Sequence, residues 1–418
     1  MAMVRKGFLT SFFVIFSALV ICAAVADQAG AQNAKASFKK CLTCHPDIQQ
    51  DMAAKGAHAP FRKFQCSRCH NPHASNYEHL VKDEIGTLCK SCHKDKKGDR
   101  GKKYTHLPVE EGACLKCHNA HLSKNPKLLV AKGEDLCFGC HAEKKILSKK
   151  NRHDPVKKGH CLRCHSPHSS DQEALVKKDL KQICTTCHSV KNKKAKNAHL
   201  DYPVQDTNCM SCHNPHGSNR SSLIKETSHE PFAQKKCTTC HNEQGSKNPL
   251  GLKGKGASIC ITCHASAQED FKKINSHVHQ GVFCVSCHSP HASDEDHLKK
   301  AKEVKVCLCC HEDTQGCIKD KKNEHKHPLV KEGKCSPCHR PHGSNFRLFF
   351  GADEFRVCAD CHKKHVKFTH PIGKEASDPR SKRDITCITC HKLMGSPYQF
   401  ALRFDRKKQL CIQCHKGY

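Results

Sequence analysis

The sequence predicts a mostly irregular chain with short α-helices and few or no strands, folded as an elongated array of repeated modules. Three observations predict it. The 418 residues are only 37% hydrophobic, with 6% aromatic residues and no Trp. That leaves too little Leu, Ile, Val and Phe for the two or three conventional cores such a length would allow. The chain also carries 35 Cys and 36 His, so something other than apolar side chains must fill its interior. Finally, the Cys recur at nearly fixed intervals, as expected of stacked units that contact mainly their neighbours. A disordered basic tail is excluded, since such a tail has no use for so many thiols.

The elements follow in chain order. Arg5 and Lys6 precede an uncharged apolar run from Gly7 to Ile21, and Ala24-Val25-Ala26 forms an A-x-A cleavage site before Asp27. Residues 1–26 therefore read as a secretory signal peptide. The run is short for a membrane anchor, and Ile21 before Cys22 argues against a lipoprotein. No later stretch is long enough to span a bilayer. The mature chain is expected to be secreted across the inner membrane, with no membrane span after cleavage, and to be periplasmic or exported to the cell surface.

Beyond the signal, Cys-x-x-Cys-His occurs sixteen times. The first thiols are Cys41, Cys66, Cys89, Cys114, Cys137, Cys161, Cys184, Cys209, Cys237, Cys260, Cys284, Cys307, Cys335, Cys358, Cys387 and Cys411. The second are Cys44, Cys69, Cys92, Cys117, Cys140, Cys164, Cys187, Cys212, Cys240, Cys263, Cys287, Cys310, Cys338, Cys361, Cys390 and Cys414. The adjoining imidazoles are His45, His70, His93, His118, His141, His165, His188, His213, His241, His264, His288, His311, His339, His362, His391 and His415. This is the attachment signature of c-type haem. Two thiols three residues apart share one helical turn and can add to both vinyl groups of one porphyrin, while the adjacent His offers the iron its proximal ligand. A zinc ribbon needs no His after every second Cys, and neither does a disulfide scaffold. Sixteen covalently attached haems c are expected.

The motifs come mostly in pairs. First thiols are 23 residues apart from 66 to 89, 114 to 137, 161 to 184, 284 to 307 and 335 to 358, with 209 to 237 and 387 to 411 slightly wider. The motifs at Cys41 and Cys260 then stand alone. The expected organisation is an N-terminal single-motif segment over 27–57, four two-haem modules over 58–252, a single motif over 253–276, and three more modules over 277–418. Haems serve as the core of each module, with turns at Asn-Pro-His and Gly-Ser and Lys-rich connectors between.

The leading motif of most modules continues into Pro-His: CSRCHNPH (66–73), CLRCHSPH (161–168), CMSCHNPH (209–216), CVSCHSPH (284–291) and CSPCHRPH (335–342). Over nearly the whole mature chain the sequence resembles the multihaem c-type cytochromes of the doubled CxxCH motif family. That resemblance implies covalent haems, iron held between two His, little regular secondary structure and electron transfer outside the cytoplasm.

Twenty His lie outside the motifs, enough for a second imidazole at every iron. One set lies three residues after a leading motif: His73, His121, His168, His216, His291 and His342. A second precedes the leading motif, usually close to a Pro: His58, His106, His153, His199, His327 and His370, with His277 or His279 in the fifth module. Both sets are expected to be distal ligands. His79 and His297 occur only in the modules that follow the single motifs, so they are the expected ligands of those two haems, with His229 a competitor for the haem at Cys260. The seventh module has Met394 where its sisters have His. Met394 is a candidate thioether ligand, which would raise that haem's potential, and His365 is the alternative. Cys309 and Cys317 lie outside the motifs, and either a disulfide or competition by Cys309 for a vinyl group is open.

No catalytic residue is expected. The sequence reads as an electron carrier that passes charge between haems, in a respiratory chain leading to a periplasmic or extracellular acceptor. Its partners are then other redox proteins. A reductase of nitrogen compounds or oxyanions with one open haem is the first alternative. A subunit of a conductive filament or a membrane-associated assembly is the second. The formal charge of +31 first suggests a nucleic-acid or anionic-membrane partner. Two propionates per haem bring the mature chain to about +13 with every iron ferric and about −3 with every iron ferrous. The Lys excess is therefore counter-charge, and no nucleic acid is expected.

Overall fold

Five stretches of the chain begin where a proline starts a one-turn helix. Ala59–Arg62, Leu107–Glu110, Asp154–Lys157, Glu230–Ala233 and Pro328–Lys331 all carry Pro in their first two positions. Pro suits that place because its fixed φ is already helical and the first-turn N–H has no intrahelical partner to lose. The residue before each helix is an extended His: His58, His106, His153, His229 or His327. The helix stops after one turn at a left-handed residue. At Gly112 this is φ +70, and an added Cβ would stand 3.0 Å from the Cα of Gly86, so only glycine fits there.

The chain then enters the leading motif as another single turn, such as Cys66–Arg68, Cys114–Lys116, Cys161–Arg163 and Cys209–Ser211. The trailing motif sits at the end of a slightly longer helix, as in Ile85–Lys90, Gly133–Phe138, Glu303–Leu308 and Glu354–Ala359. The structure, a computed structural model, describes residues 41–94, 101–367 and 371–417. The signal peptide and His370 lie outside the described residues.

The described chain falls into two compact units, Met1–Ser148 with Arg152–Thr186, and Lys149–Asn151 with Cys187–Tyr418. In the first, Tyr104–Thr105 pairs antiparallel with Ser169–Ser170, and Ala57 bridges Leu122. In the second, Thr227–Ser228 pairs with Ala292–Ser293, Asn275 bridges Ser344 and His325 bridges Ser396. Each of these ladders joins the start of one repeat to the residues just beyond the leading motif of the next. A further hairpin, Gly373–Ser377 with Asp384–Ile385, turns on the buried Asp378. Arg380 grips both oxygens of that carboxylate, at 2.9 and 2.8 Å, and holds its pKa at about 2.

Short helices, irregular chain and few strands are what the composition predicts. The interior confirms its reason. One apolar cluster, Met52, Ala57 and Phe61 with Leu42, Ile48, Phe64 and Leu122, closes the start of the first unit. Elsewhere the largest fully buried side chains among the described residues are serines: Ser218, Ser276, Ser293 and Ser396. Large apolar side chains such as Leu107, Leu115, Leu162 and Val285 are exposed beside the motifs.

Candidate metal centres

The eight leading motifs that start at Cys66, Cys114, Cys161, Cys209, Cys237, Cys284, Cys335 and Cys387 share one construction. The motif His pairs its backbone with a residue eleven positions on, as in His70 with Val81, His118 with Leu129 and His391 with Leu402. Its Nδ1 meets the backbone carbonyl nine positions on. The acceptors are His79, Lys127, Ala174, Ser222, Leu250, His297, Leu348 and Phe400, at 2.7 to 3.0 Å. A carbonyl only accepts, so the proton sits on Nδ1 and the Nε2 lone pair is free for a metal. The carbonyl also fixes the ring plane, the role that outer hydrogen bonds play at metal centres. In all eight loops except the one after Cys237, the acceptor residue has positive φ.

A serine holds that loop. Five residues after the motif His, Ser75, Ser123, Ser170, Ser218, Ser293, Ser344 and Ser396 each donate to the carbonyl six residues further on. Each Oγ also accepts the N–H two residues on, at 2.9 to 3.0 Å. This bracket was not anticipated. Its signal is the Ser at that fixed offset in seven of the eight leading motifs.

Opposite the motif imidazoles stand others. In the first unit, ring centroids are 5.9 Å apart for His58 and His93, 6.1 Å for His106 and His141, 5.9 Å for His70 and His121, and 6.3 Å for His118 and His168. In the second unit the pairs are His199 and His213 at 6.2 Å, His229 and His264 at 5.9 Å, and His241 and His291 at 5.9 Å. They continue with His277 and His311 at 6.2 Å, and with His288 and His342 and His327 and His362, both at 5.9 Å. Two imidazoles bonded at about 2 Å to opposite sides of one metal have centroids about 6 Å apart. The donor chemistry and the spacing both fit iron between two His, with two thiols beside it for the porphyrin. Burial keeps His121, His213, His291, His327 and His342 below the ordinary imidazole pKa and so neutral, as ligands must be.

A family model described as the doubled CXXCH motif matches residues 58–98, 106–146, 153–193, 202–228, 229–269, 276–316, 327–367 and 378–418. The chain is a multihaem c-type cytochrome of the doubled CXXCH motif family. Over 81 residues it is also 29% identical to the multiheme cytochrome MtrA of Shewanella baltica (strain OS185), a match covering 19% of this chain and 23% of that protein. Among the described residues of the cytochrome, no helix is long and apolar enough to cross a membrane.

The matched repeats divide the middle of the cytochrome differently from the spacing argument above. Residues 229–269 hold the motifs at Cys237 and Cys260 together, and 202–228 holds the motif at Cys209 alone. His229 accordingly faces His264, 35 residues on, just as His58 faces His93 and His106 faces His141. The side chains of His79 and His297 are exposed, and it is their carbonyls that serve His70 and His288. In the fifth module His277 faces His311, and His279 is exposed. His73 is exposed, with its backbone N–H on Asn71. His365 lies 5.9 Å from His362. In the last repeat Asp378 stands at the place where five others begin with His. Cys309 and Cys317 are not joined: Cys309 donates to Val306 and Cys317 to Gly395.

Most facing rings at the start of a repeat are set like the motif rings. His58, His106, His229 and His277 place Nδ1 on the carbonyls of Ala120, Pro167, Pro290 and Pro341 in the next repeat. His327 departs, since its Nδ1 accepts the Leu329 N–H.

The thiols adjoin in an alternating order. Cys69 lies by Cys92, Cys117 by Cys140, Cys287 by Cys310, Cys338 by Cys361 and Cys390 by Cys414, joining the second thiols within a repeat. Cys89 lies by Cys114, Cys137 by Cys161, Cys260 by Cys284, Cys307 by Cys335 and Cys358 by Cys387, joining the first thiols of successive repeats. Burial and then the neighbouring thiol push Cys89 and Cys137 up to about 11.

Proposed function

We propose that this cytochrome carries electrons outside the inner membrane through sixteen covalently held haems c, by hopping between successive centres, toward a periplasmic or extracellular acceptor. The observation that carries this reading is the alternating adjacency of the thiols. At the ten thiol pairs named above, attachment points that follow one another in sequence lie side by side, first to first and second to second. The bound haems supply one-electron centres. The chain spaces them, orients the leading motif rings through backbone carbonyls, and closes the paired sites with a second imidazole. About 24 residues per haem are too few to insulate one centre from the next. Other redox proteins are the partners this surface would meet.

The proposed distal ligands are the facing rings: His58, His106, His121, His168, His199, His229, His277, His291, His327 and His342. The haem at Cys260 is then served by His229. His229→Ala is expected to change the low-spin spectrum of one haem, and His297→Ala to change none. A spectral change in the second variant alone would reverse that assignment.

The reading as a whole is tested by intact mass and haem stoichiometry of the mature protein, followed by anaerobic redox titration. Sixteen haems per chain and full reversible reduction by a small one-electron donor are expected. A mass near that of the bare polypeptide would overturn it.

A further inference from the structure

The junction between the last two matched repeats breaks the ligand pattern at one atom. At four other junctions the residue three positions after a leading motif His does not serve its own repeat. His121 faces His70, His168 faces His118, His291 faces His241 and His342 faces His288, always in the preceding repeat. The ladders produce this crossing. Asn275 bridges Ser344, two residues past His342, and His325 bridges Ser396 in the same way. Two residues before Ser396 is Met394, so the ladder register gives Met394 the position of His342, with the His327 N–H on the carbonyl of the neighbouring Leu393 at 3.1 Å.

The motif His of the preceding repeat is His339. Its Nδ1 is on the Leu348 carbonyl and its ring packs on Phe350, but no described imidazole faces it. The other candidate, His365, lies against His362 three residues before it, the ring that His327 already faces. The chain at Met394 is also held firmly. Gly395 has φ +148, an added Cβ there would lie 2.9 Å from that of Asn323, and its carbonyl receives the Cys317 thiol. Only glycine accepts that backbone against Asn323.

We propose that the thioether of Met394 is the sixth ligand of the haem attached at Cys335 and Cys338, opposite His339, and not of the haem attached at its own motif. This rests on the haem reading above. One His/Met centre is thereby placed among His/His neighbours, and such a centre has the higher potential. It is a resting place for the electron, one repeat from the end of the matched array.

The test uses the full-length mature cytochrome, with haems counted by mass in every variant. Near-infrared magnetic circular dichroism of the oxidised protein is expected to show one thioether-to-iron band. Met394→His should abolish that band, leave the haem count unchanged and move one midpoint potential negative. His339→Met should also abolish the His/Met band, by giving that iron two thioethers, while His391→Met should retain it. Three results overturn the proposal: no thioether band in the parent, a band that survives Met394→His, or a band lost with His391→Met but kept with His339→Met. A thiolate band that vanishes on Cys317→Ser would overturn it in favour of Cys317. A haem count short of sixteen in the parent counts instead against the haem reading, so the two failures are distinct.

Discussion

His121→Ala is expected to give the reduced protein one new site for carbon monoxide. His121 is the ring that faces His70, 5.9 Å away across the first ladder. An iron with two imidazoles has no position to offer, and removing one imidazole leaves a five-coordinate ferrous centre, which binds carbon monoxide readily. The change in the difference spectrum should correspond to about one equivalent per chain over the parent. His121 contributes no side chain to the repeat that contains it, so the altered haem should be the one at Cys66 and not the one at Cys114. Proteolysis to haem peptides after photo-labelling would separate the two. No gain in carbon monoxide binding, or a gain at Cys114, would show that the rings do not serve across the junction.

Ser218→Ala is expected to loosen one loop without removing any ligand. Ser218 is completely buried, and its hydroxyl donates to the Ile224 carbonyl while accepting the Arg220 N–H at 3.0 Å. Alanine leaves both backbone groups unpaired in the interior, at a cost of ~1–3 kcal/mol. The loop also carries Ser222, whose carbonyl orients His213. Hydrogen exchange at the Arg220 amide should accelerate roughly 5- to 150-fold. Ser222→Ala is the control, because Ser222 acts through its backbone and its counterparts are Lys127 and Ala174. Equal protection of Arg220 in parent and Ser218→Ala would remove the bracket from the account.

The sixteen motifs, the two sets of spare His and the poverty of apolar side chains were legible because each is a matter of residue type and spacing. What the helix at Ala59–Arg62 does was half-legible: Pro60 marks a helix start, and only the ladder to Leu122 says that His58 ends up beside the next repeat. The pairing across junctions was not legible, since a two-residue strand such as Thr227–Ser228 leaves no alternating pattern to read. The same limit explains His79 and His297. Both lie in register with the single motifs, but the loop uses their carbonyls, and a carbonyl is common to every residue type. The grouping of Cys237 with Cys260 was legible in principle, because 23 residues separate them as in the other pairs.

The ladders that carry a ligand from one repeat into the one before it give the chain a direction of assembly. Everything needed to attach a haem, two thiols and an imidazole, lies within five consecutive residues, whereas the rings that face four of the leading sites, His121, His168, His291 and His342, arrive with the following repeat. Covalent attachment and closure are thus separate events in time for a chain emerging N-terminus first. On the proposed reading, a newly made repeat would receive its haems while one of them still has an exposed iron face, and the next repeat would seal that face as it docks. Repeats built in this way are interchangeable at their borders. At the four junctions with facing rings, a whole repeat can be gained or lost with the new border still supplying a ring, whereas a cut within a repeat leaves one leading motif imidazole unfaced.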